Sequence, residues 1–133
     1  MFLQYYVTES TTRNRVNIEI NAATKADLDA TRNGWQTVWN TDFILDPQKE
    51  KYAAKTEDGE IIALGAYCVR KGSVAVYIAY IESQPESNPT LVEHKKYSGI
   101  GKAMIAFGIQ LSIDASCNGV VVFEAKTDDL EQH

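Results

Sequence analysis

Eight consecutive residues near the middle of the chain have apolar or aromatic side chains at every position. They are residues 74–81, Val-Ala-Val-Tyr-Ile-Ala-Tyr-Ile. A strand that is apolar on both faces is usually covered on both sides, so this segment predicts a strand in the middle of a sheet. A fold that contains such a strand needs a covering layer on each face of the sheet.

The residues before this strand predict its antiparallel neighbours. Two strands are predicted here, one over 51–56 and one over 61–69. Asp58-Gly59 suits a tight hairpin turn, and a second turn is predicted at residues 70–73. Residues 51–81 therefore predict a meander of three strands, and the alternation at residues 16–20 predicts a first strand further upstream.

Two helical patterns precede the meander. Thr24 and Asp27 have the spacing of a capping box and predict a short helix running toward Asn33-Gly34. Trp35, Trp39 and Phe43 recur every four residues, which would place them as one stripe on a helix. This stripe either packs on the core or lines a substrate pocket, and Trp35 and Trp39 are candidate substrate contacts.

The last third of the chain predicts a long helix and a short strand. The helix begins near Gly99 or Ile100, runs for about 16 residues and is apolar on more than one face, so it should be largely buried. Asn118-Gly119 ends it, and residues 120–123 predict a buried strand. A further helix is predicted to open at 127–129. Residues 1–133 thus predict one α/β (α+β) domain, with a mixed, mainly antiparallel sheet flanked by helices.

Composition limits the partners and the compartment. The net charge of −5 gives no overall field that would attract nucleic acid. No stretch approaches the roughly 20 apolar residues of a membrane helix, and the N-terminus lacks the basic leader of a signal peptide. Cys68 and Cys117 are predicted to be buried free thiols in a reducing cytoplasm, and no metal site is predicted.

The segment with the clearest chemistry lies between the central strand and the long helix. Gly99 and Gly101 allow close approach to the backbone, and the N–H groups and dipole at the start of a helix favour an anion. Lys96 and Lys102 add positive charge, which points to a pyrophosphate. The glycine spacing of a P-loop and the third glycine of a dinucleotide-binding fold are both missing.

Lys96-Tyr97-Ser98-Gly99-Ile100-Gly101 is similar to the (Arg/Gln)-x-x-Gly-x-(Gly/Ala) signature of the GNAT N-acetyltransferase superfamily. Lys96 stands where the family usually has Arg or Gln. The chain resembles a subgroup of small, mostly uncharacterised bacterial members over most of residues 16–133, most strongly after residue 77. The resemblance implies a GNAT-like fold and transfer of an acetyl group from acetyl-CoA to a primary amine of a small molecule or protein.

The resemblance also implies roles for individual residues. Exposed backbone groups at Ile81, Glu82 and Ser83 would face the pantetheine arm. Glu82 would be the general base, directly or through a water, unless it is a solvated carboxylate. Glu124, at the end of the last strand, is either structural or a substrate contact. The pyrophosphate would be held by Lys96, Tyr97, Ser98, Gly99, Ile100, Gly101, Lys102 and Ala103.

One departure from the family leaves a second interpretation open. Many members continue into a helix with a tyrosine that protonates the leaving thiolate, and then into two more strands. Leu130-Glu131-Gln132-His133 ends this sequence where that helix would begin. The chain is therefore either C-terminally truncated or a complete protein without those elements. The alternative function is a catalytically degenerate domain that binds CoA or a protein partner, for example as a homodimer.

Overall fold

The computed structural model of the chain describes residues 4–32, 34–37, 39 and 48–123. These residues form a mixed α+β fold, in which a mainly antiparallel sheet of seven strands carries two α-helices. The strands are β1 Tyr5–Glu9, β2 Arg15–Ala22, β3 Glu50–Thr56, β4 Ile61–Cys68, β5 Val76–Ser83, β6 Tyr97–Ser98 and β7 Val121–Phe123. The helices are α1 Lys25–Asp29 and α2 Ile100–Asp114, with 3-10 turns at Ala30–Arg32 and Pro85–Ser87.

The predicted meander of three strands is confirmed. The sheet order is β6-β1-β2-β3-β4-β5-β7, and every neighbouring pair is antiparallel except β5 and β7. β5 lies between two neighbours, and Val76 and Ile78 are fully buried. It begins at Val76 rather than at Val74, which is 78% exposed in the preceding turn.

A β-bulge divides β5 into two halves. Ala66 pairs with Tyr80 and Tyr67 pairs with Ile78, so Ala79 is an extra residue on β5. Such a bulge increases the local twist and changes which backbone groups face each neighbour. The described pairing with β7 covers Val76–Ile78, on the N-terminal side of the bulge.

The strand predicted at residues 16–20 is the second strand of the fold and not the first. β1 precedes it, and pairs with β2 on one side and with β6 on the other. β6 lies directly before the long helix, where the sequence predicted no strand. The pairing of β1 with β6 places the start of the chain next to the turn that contains Gly99.

Helix α2 packs on one face of the sheet around a single buried tyrosine. Tyr67 is completely buried, and its hydroxyl donates to the backbone oxygen of Met104 at 2.8 Å. A Cβ at Gly65 would approach the Tyr67 ring to 2.7 Å and the Met104 side chain to 2.9 Å. Gly65 is therefore needed for this close approach of the sheet to the helix.

Several sequence predictions are corrected by the structure. The aromatic helix is wrong for the part of it that the structure describes, because residues 34–37 and 39 form turns and bends. The C-terminal half of α2 is less buried than expected, with Ile113 54% exposed, and β7 is not buried, with Phe123 56% exposed. Phe43, Glu124 and the helix predicted at 127–129 lie outside the described residues.

Two further observations concern membranes and thiols. None of the described helices is long and apolar enough to cross a bilayer. Cys68 and Cys117 are not in a disulfide; Cys117 is buried, as the sequence predicted, whereas Cys68 is only half-buried.

Candidate functional site

The turn that opens α2 is built around a glycine with a positive φ angle. Gly99 is the N-cap residue, with φ 88° and ψ 7°. Residues other than glycine rarely adopt this left-handed backbone conformation, so a glycine is favoured here. Gly101 has ordinary helical geometry one position into the helix.

The N–H groups of this turn are left without acceptors inside the helix. The first bond of α2 runs from Ala103 N to Gly99 O at 3.1 Å, so the four preceding N–H groups have no helical partner. No side chain caps the helix, since its N-cap is a glycine. Helix α1 differs, because Thr24 and Asp27 cap it in the predicted capping box. The start of α2 therefore presents N–H donors that bond to no acceptor among the described residues, together with the positive end of a helix dipole.

The space outside the turn is open. A Cβ built on Gly99 or Gly101 would meet no atom within 4 Å. A cavity of about 530 Å³ lies against the turn between β1 and α2. It is lined by residues 4–8, Ser98, Gly99, Lys102, Ala103 and Ala106. An anionic group could therefore reach the free N–H groups without displacing protein atoms.

Part of the predicted phosphate-binding set already has protein partners. Lys96 N donates to Glu86 O at 2.9 Å, and Tyr97 N donates to Ser87 Oγ at 3.1 Å. Ser98 pairs with Thr8 in the sheet, and Ala103 N is used inside the helix. The backbone N–H groups that remain available to a ligand are those of Gly99, Ile100, Gly101 and Lys102. Ile100 contributes only its backbone, because its side chain is buried in the core.

The side chain of Lys96 is held by Glu60, a residue that the sequence did not single out. Lys96 Nζ donates to Glu60 Oε2 at 2.9 Å, and Tyr97 Oη donates to Glu60 Oε1 at 3.0 Å. Gln84 Nε2 also donates to Glu60 Oε2 at 2.9 Å, so the β3–β4 hairpin is tied to the end of β5. These four residues form the Glu60 cluster, which ties the residues just before the α2 turn to the β3–β4 hairpin. Lys96 Nζ therefore already has one anionic partner within the protein.

The Glu60 cluster implies a pH dependence of stability. Partial burial raises the pKa of Glu60, but hydrogen bonds from Gln84, Lys96 and Tyr97 outweigh it and bring the pKa below its ordinary value of 4.5. A carboxyl with a depressed pKa stabilises the fold above its unfolded pKa, and this contribution is lost as pH falls through the folded pKa.

We expect Glu60→Gln to remove this part of the acid dependence. The variant should lose roughly 0.5–1 kcal/mol at pH 7, because the ion pair is only partly buried. The difference from the wild type should shrink as pH drops below 4.5. Urea denaturation between pH 7 and pH 3 measures this, with Glu57→Gln in the same exposed turn as the control. A constant difference across that range would contradict the assignment.

Glu82 lies near the end of β5 and is 4% exposed, so it is not a solvated carboxylate. Its oxygens accept hydrogen bonds from Gln36 N at 2.7 Å, Thr37 N at 3.3 Å and Trp39 Nε1 at 2.8 Å. These donors were not evident from the sequence, because they lie more than 40 positions away along the chain. An acceptor amine could reach Glu82 only by displacing them or through a water.

The two tryptophans have different surroundings. Trp39 is fully buried and packs edge-on against Tyr80, with ring centroids 5.5 Å apart. This favours the packing alternative for Trp39. Trp35 is half-buried and lines a cavity of about 460 Å³ together with Asp27, Glu60 and Gln84. Trp35 therefore remains the better candidate for a substrate contact.

The backbone groups of Ile81 and Ser83 point away from β4, whereas those of Glu82, which was expected to be exposed with them, point toward it. Gln84 N donates to Ile62 O of β4 at 2.8 Å, and Glu82 pairs with Leu64. Backbone groups of alternate residues point to opposite sides of a strand, so those of Ile81 and Ser83 point away from β4. These backbone groups point toward the edge of β5 along which β7 lies.

Comparison with known proteins adds no assignment: no family model, curated protein or solved structure matches the chain.

Proposed function

We propose that this chain is a GNAT-like N-acetyltransferase domain that transfers the acetyl group of acetyl-CoA to a primary amine of a small molecule or protein. The observation that carries the proposal is the uncapped, glycine-lined start of α2. Four backbone N–H groups there have no acceptor inside the helix, and open space lies outside them. The signature-like sequence 96–101 falls on this turn.

The turn suits a diphosphate in both charge and shape. Free N–H groups and the helix dipole stabilise negative charge, and Lys102 adds an exposed cation at the third helical position. Gly99 and Gly101 present backbone without side chains to shield it. In this proposal the amides of Gly99, Ile100, Gly101 and Lys102 hold the pyrophosphate of acetyl-CoA.

The distal half of β5 would orient the remainder of the cofactor. Backbone N–H and C=O groups at Ile81 and Ser83 point away from β4 and can pair with the amides of a pantetheine arm as a neighbouring strand would. When bound, acetyl-CoA supplies an activated acyl group. The protein supplies orientation, and a backbone N–H near the bulge can stabilise charge that develops on the acyl oxygen.

The acceptor side lies on the face of the sheet that carries Trp35 and Glu82. The cavity that Trp35 lines also has three carboxylates, Asp27, Glu60 and Glu86, against one ammonium, Lys96, and this excess of negative charge suits a cationic amine. If Glu82 accepts a proton from the amine, a water must carry it, because the carboxylate is buried and hydrogen-bonded three times. The proposed setting is the cytoplasm, with no nucleic acid or membrane partner.

Two measurements test the proposal. Acetyl-CoA at 100 times its Kd adds about 2.7 kcal/mol of stability, which should raise Tm by roughly 8–12 °C for a domain of this size. Thiol release from acetyl-CoA is then screened with spermidine, an aminoglycoside and a lysine-containing peptide as acceptors. No change in Tm at millimolar acetyl-CoA would refute cofactor binding, whereas a Tm shift without thiol release from any acceptor would refute transferase activity on these amines.

The exposed apolar residues of β7 and α2 favour a second candidate, an interaction module that dimerises. Val122 and Phe123 are 42% and 56% exposed, and Ile113 is 54% exposed on the adjoining helix. Light scattering after size exclusion distinguishes the two candidates. A dimer that does not bind acetyl-CoA would support the interaction module.

A further inference from the structure

The carboxylate of Glu82 joins β5 to a segment that has no regular secondary structure. We call the described residues 34–37 and 39 the Trp39 segment. Two backbone N–H groups and one indole N–H of this segment donate to Glu82, at 2.7, 3.3 and 2.8 Å. Because these residues form turns and bends, helix or strand hydrogen bonds do not hold them in place.

Other contacts fix the same segment to the same end of the sheet. Thr37 Oγ1 donates to Tyr80 Oη at 2.9 Å, and Asn88 Nδ2 donates to Gln36 Oε1 at 2.9 Å. Trp39 N donates to Thr31 Oγ1 at 2.9 Å, which connects the segment to the turn after α1. Glu82 is the charged group of this network and the acceptor of three of its bonds.

We propose that Glu82 is a positioning residue, which holds the Trp39 segment against β5 and thereby shapes the wall of the acceptor cavity that Trp35 lines. The term "acceptor cavity" rests on the proposed function, whereas the contact with the segment does not. A general base has to reach the proton that it removes, whereas Glu82 is buried and three of its roughly four acceptor positions already bind protein donors. Its charge strengthens the three bonds, because ionised acceptors bind N–H groups more tightly than neutral ones.

The chemistry of glutamine makes this proposal testable. In Glu82→Gln, one oxygen can still accept from Trp39 Nε1, but the new amide NH₂ is a donor and faces the N–H of Gln36. The side chain can no longer accept all three bonds. Glu93→Gln, an exposed carboxylate in the loop after β5, is the matched control for the same chemical change.

The first experiment is hydrogen exchange of the Trp39 indole N–H, followed by NMR on protein labelled with ¹⁵N-tryptophan and assigned with Trp35→Phe. Exchange should accelerate by at least about tenfold in Glu82→Gln, since the Trp39 segment loses one of its three bonds to residue 82 and opens more often, and one lost hydrogen bond corresponds to roughly that factor. It should not change in Glu93→Gln. Unchanged indole exchange in Glu82→Gln would overturn the proposal.

The second experiment separates positioning from proton transfer, using acetyl-CoA and whichever probe amine the wild type acetylates. Trp39→Phe keeps the carboxylate but removes one of its donors, so it should raise the amine KM several-fold, as Glu82→Gln does. Both variants should retain the acidic limb of the kcat pH profile. Loss of that limb in Glu82→Gln alone would show that Glu82 is a general base and would overturn the proposal.

If the wild type acetylates no probe amine, the proposed function fails, and indole exchange alone decides whether Glu82 holds the segment. If Glu82→Gln does not fold, indole exchange in the wild type decides, because a rate near that of a free indole would exclude the contact.

Discussion

Gly101→Glu should weaken acetyl-CoA binding by at least about 100-fold while leaving the fold intact or slightly more stable. The new carboxylate would point into the open space beside the free amides, where the proposed diphosphate lies. Like charges a few ångströms apart near a protein surface repel by several kcal/mol, so a loss of this size is expected.

The stability effect of this change has the opposite sign. Replacing a helical glycine removes unfolded-state entropy, and an acidic residue in the first turn interacts well with the helix dipole. We expect a gain of roughly 0.5–1.5 kcal/mol on these grounds. Calorimetric titration and thermal unfolding measure the two effects on one sample.

Gly101→Gln is the matched control, because it has nearly the same size without the charge. It should lose several-fold in affinity and fall between the wild type and Gly101→Glu. If Gly101→Glu binds acetyl-CoA as tightly as the wild type does, the pyrophosphate does not lie at this turn.

Trp39→Ala should reduce the free energy of unfolding by about 3–5 kcal/mol, the range found when a large buried aromatic residue is truncated. Trp39 is fully buried in a cluster with Leu28, Ala53 and Leu64. The change also removes the indole donor from Glu82 and leaves a buried carboxylate with one partner fewer. Urea denaturation monitored by circular dichroism gives the value.

Trp35→Ala provides the comparison, because Trp35 packs against the same cluster but is only partly buried. Its loss should be less than half that of Trp39→Ala. Equal losses, or a loss below about 1 kcal/mol for Trp39→Ala, would mean that the Trp39 side chain does not lie in the core.

The parts of the fold that depend on residues close together in the sequence could be predicted from it. The hairpin at Asp58-Gly59, the capping box at Thr24 and the long helix after Gly99 are all local patterns, and the structure contains them. β1 was missed, because two tyrosines and a valine in a row carry no clear alternation. Its pairing with β6 joins residues about 90 positions apart, which periodicity does not reveal.

The same distinction applies to the candidate site. The glycine turn is a local pattern and could be located from the sequence, but which polar groups of the turn remain available depends on contacts with other segments. Tyr97 N donates to Ser87, and Lys96 Nζ donates to Glu60, which lies 36 positions away. Trp39 has the spacing of a helix stripe, yet its indole bonds to Glu82, and this tertiary contact outweighs the local helical spacing.

The most direct test of the central claim is a titration of ¹⁵N-labelled protein with acetyl-CoA, followed through the backbone amide resonances of the α2 turn. Hydrogen bonds to a diphosphate should shift the amides of Gly99, Ile100, Gly101 and Lys102 more than those of Tyr97 and Ala103, which already donate to protein acceptors. Adenosine 3′,5′-bisphosphate, which lacks the pyrophosphate, should shift the turn much less. Saturation with acetyl-CoA that leaves these four amides unmoved, or moves only residues elsewhere in the chain, would contradict the assignment of the pyrophosphate to this helix start.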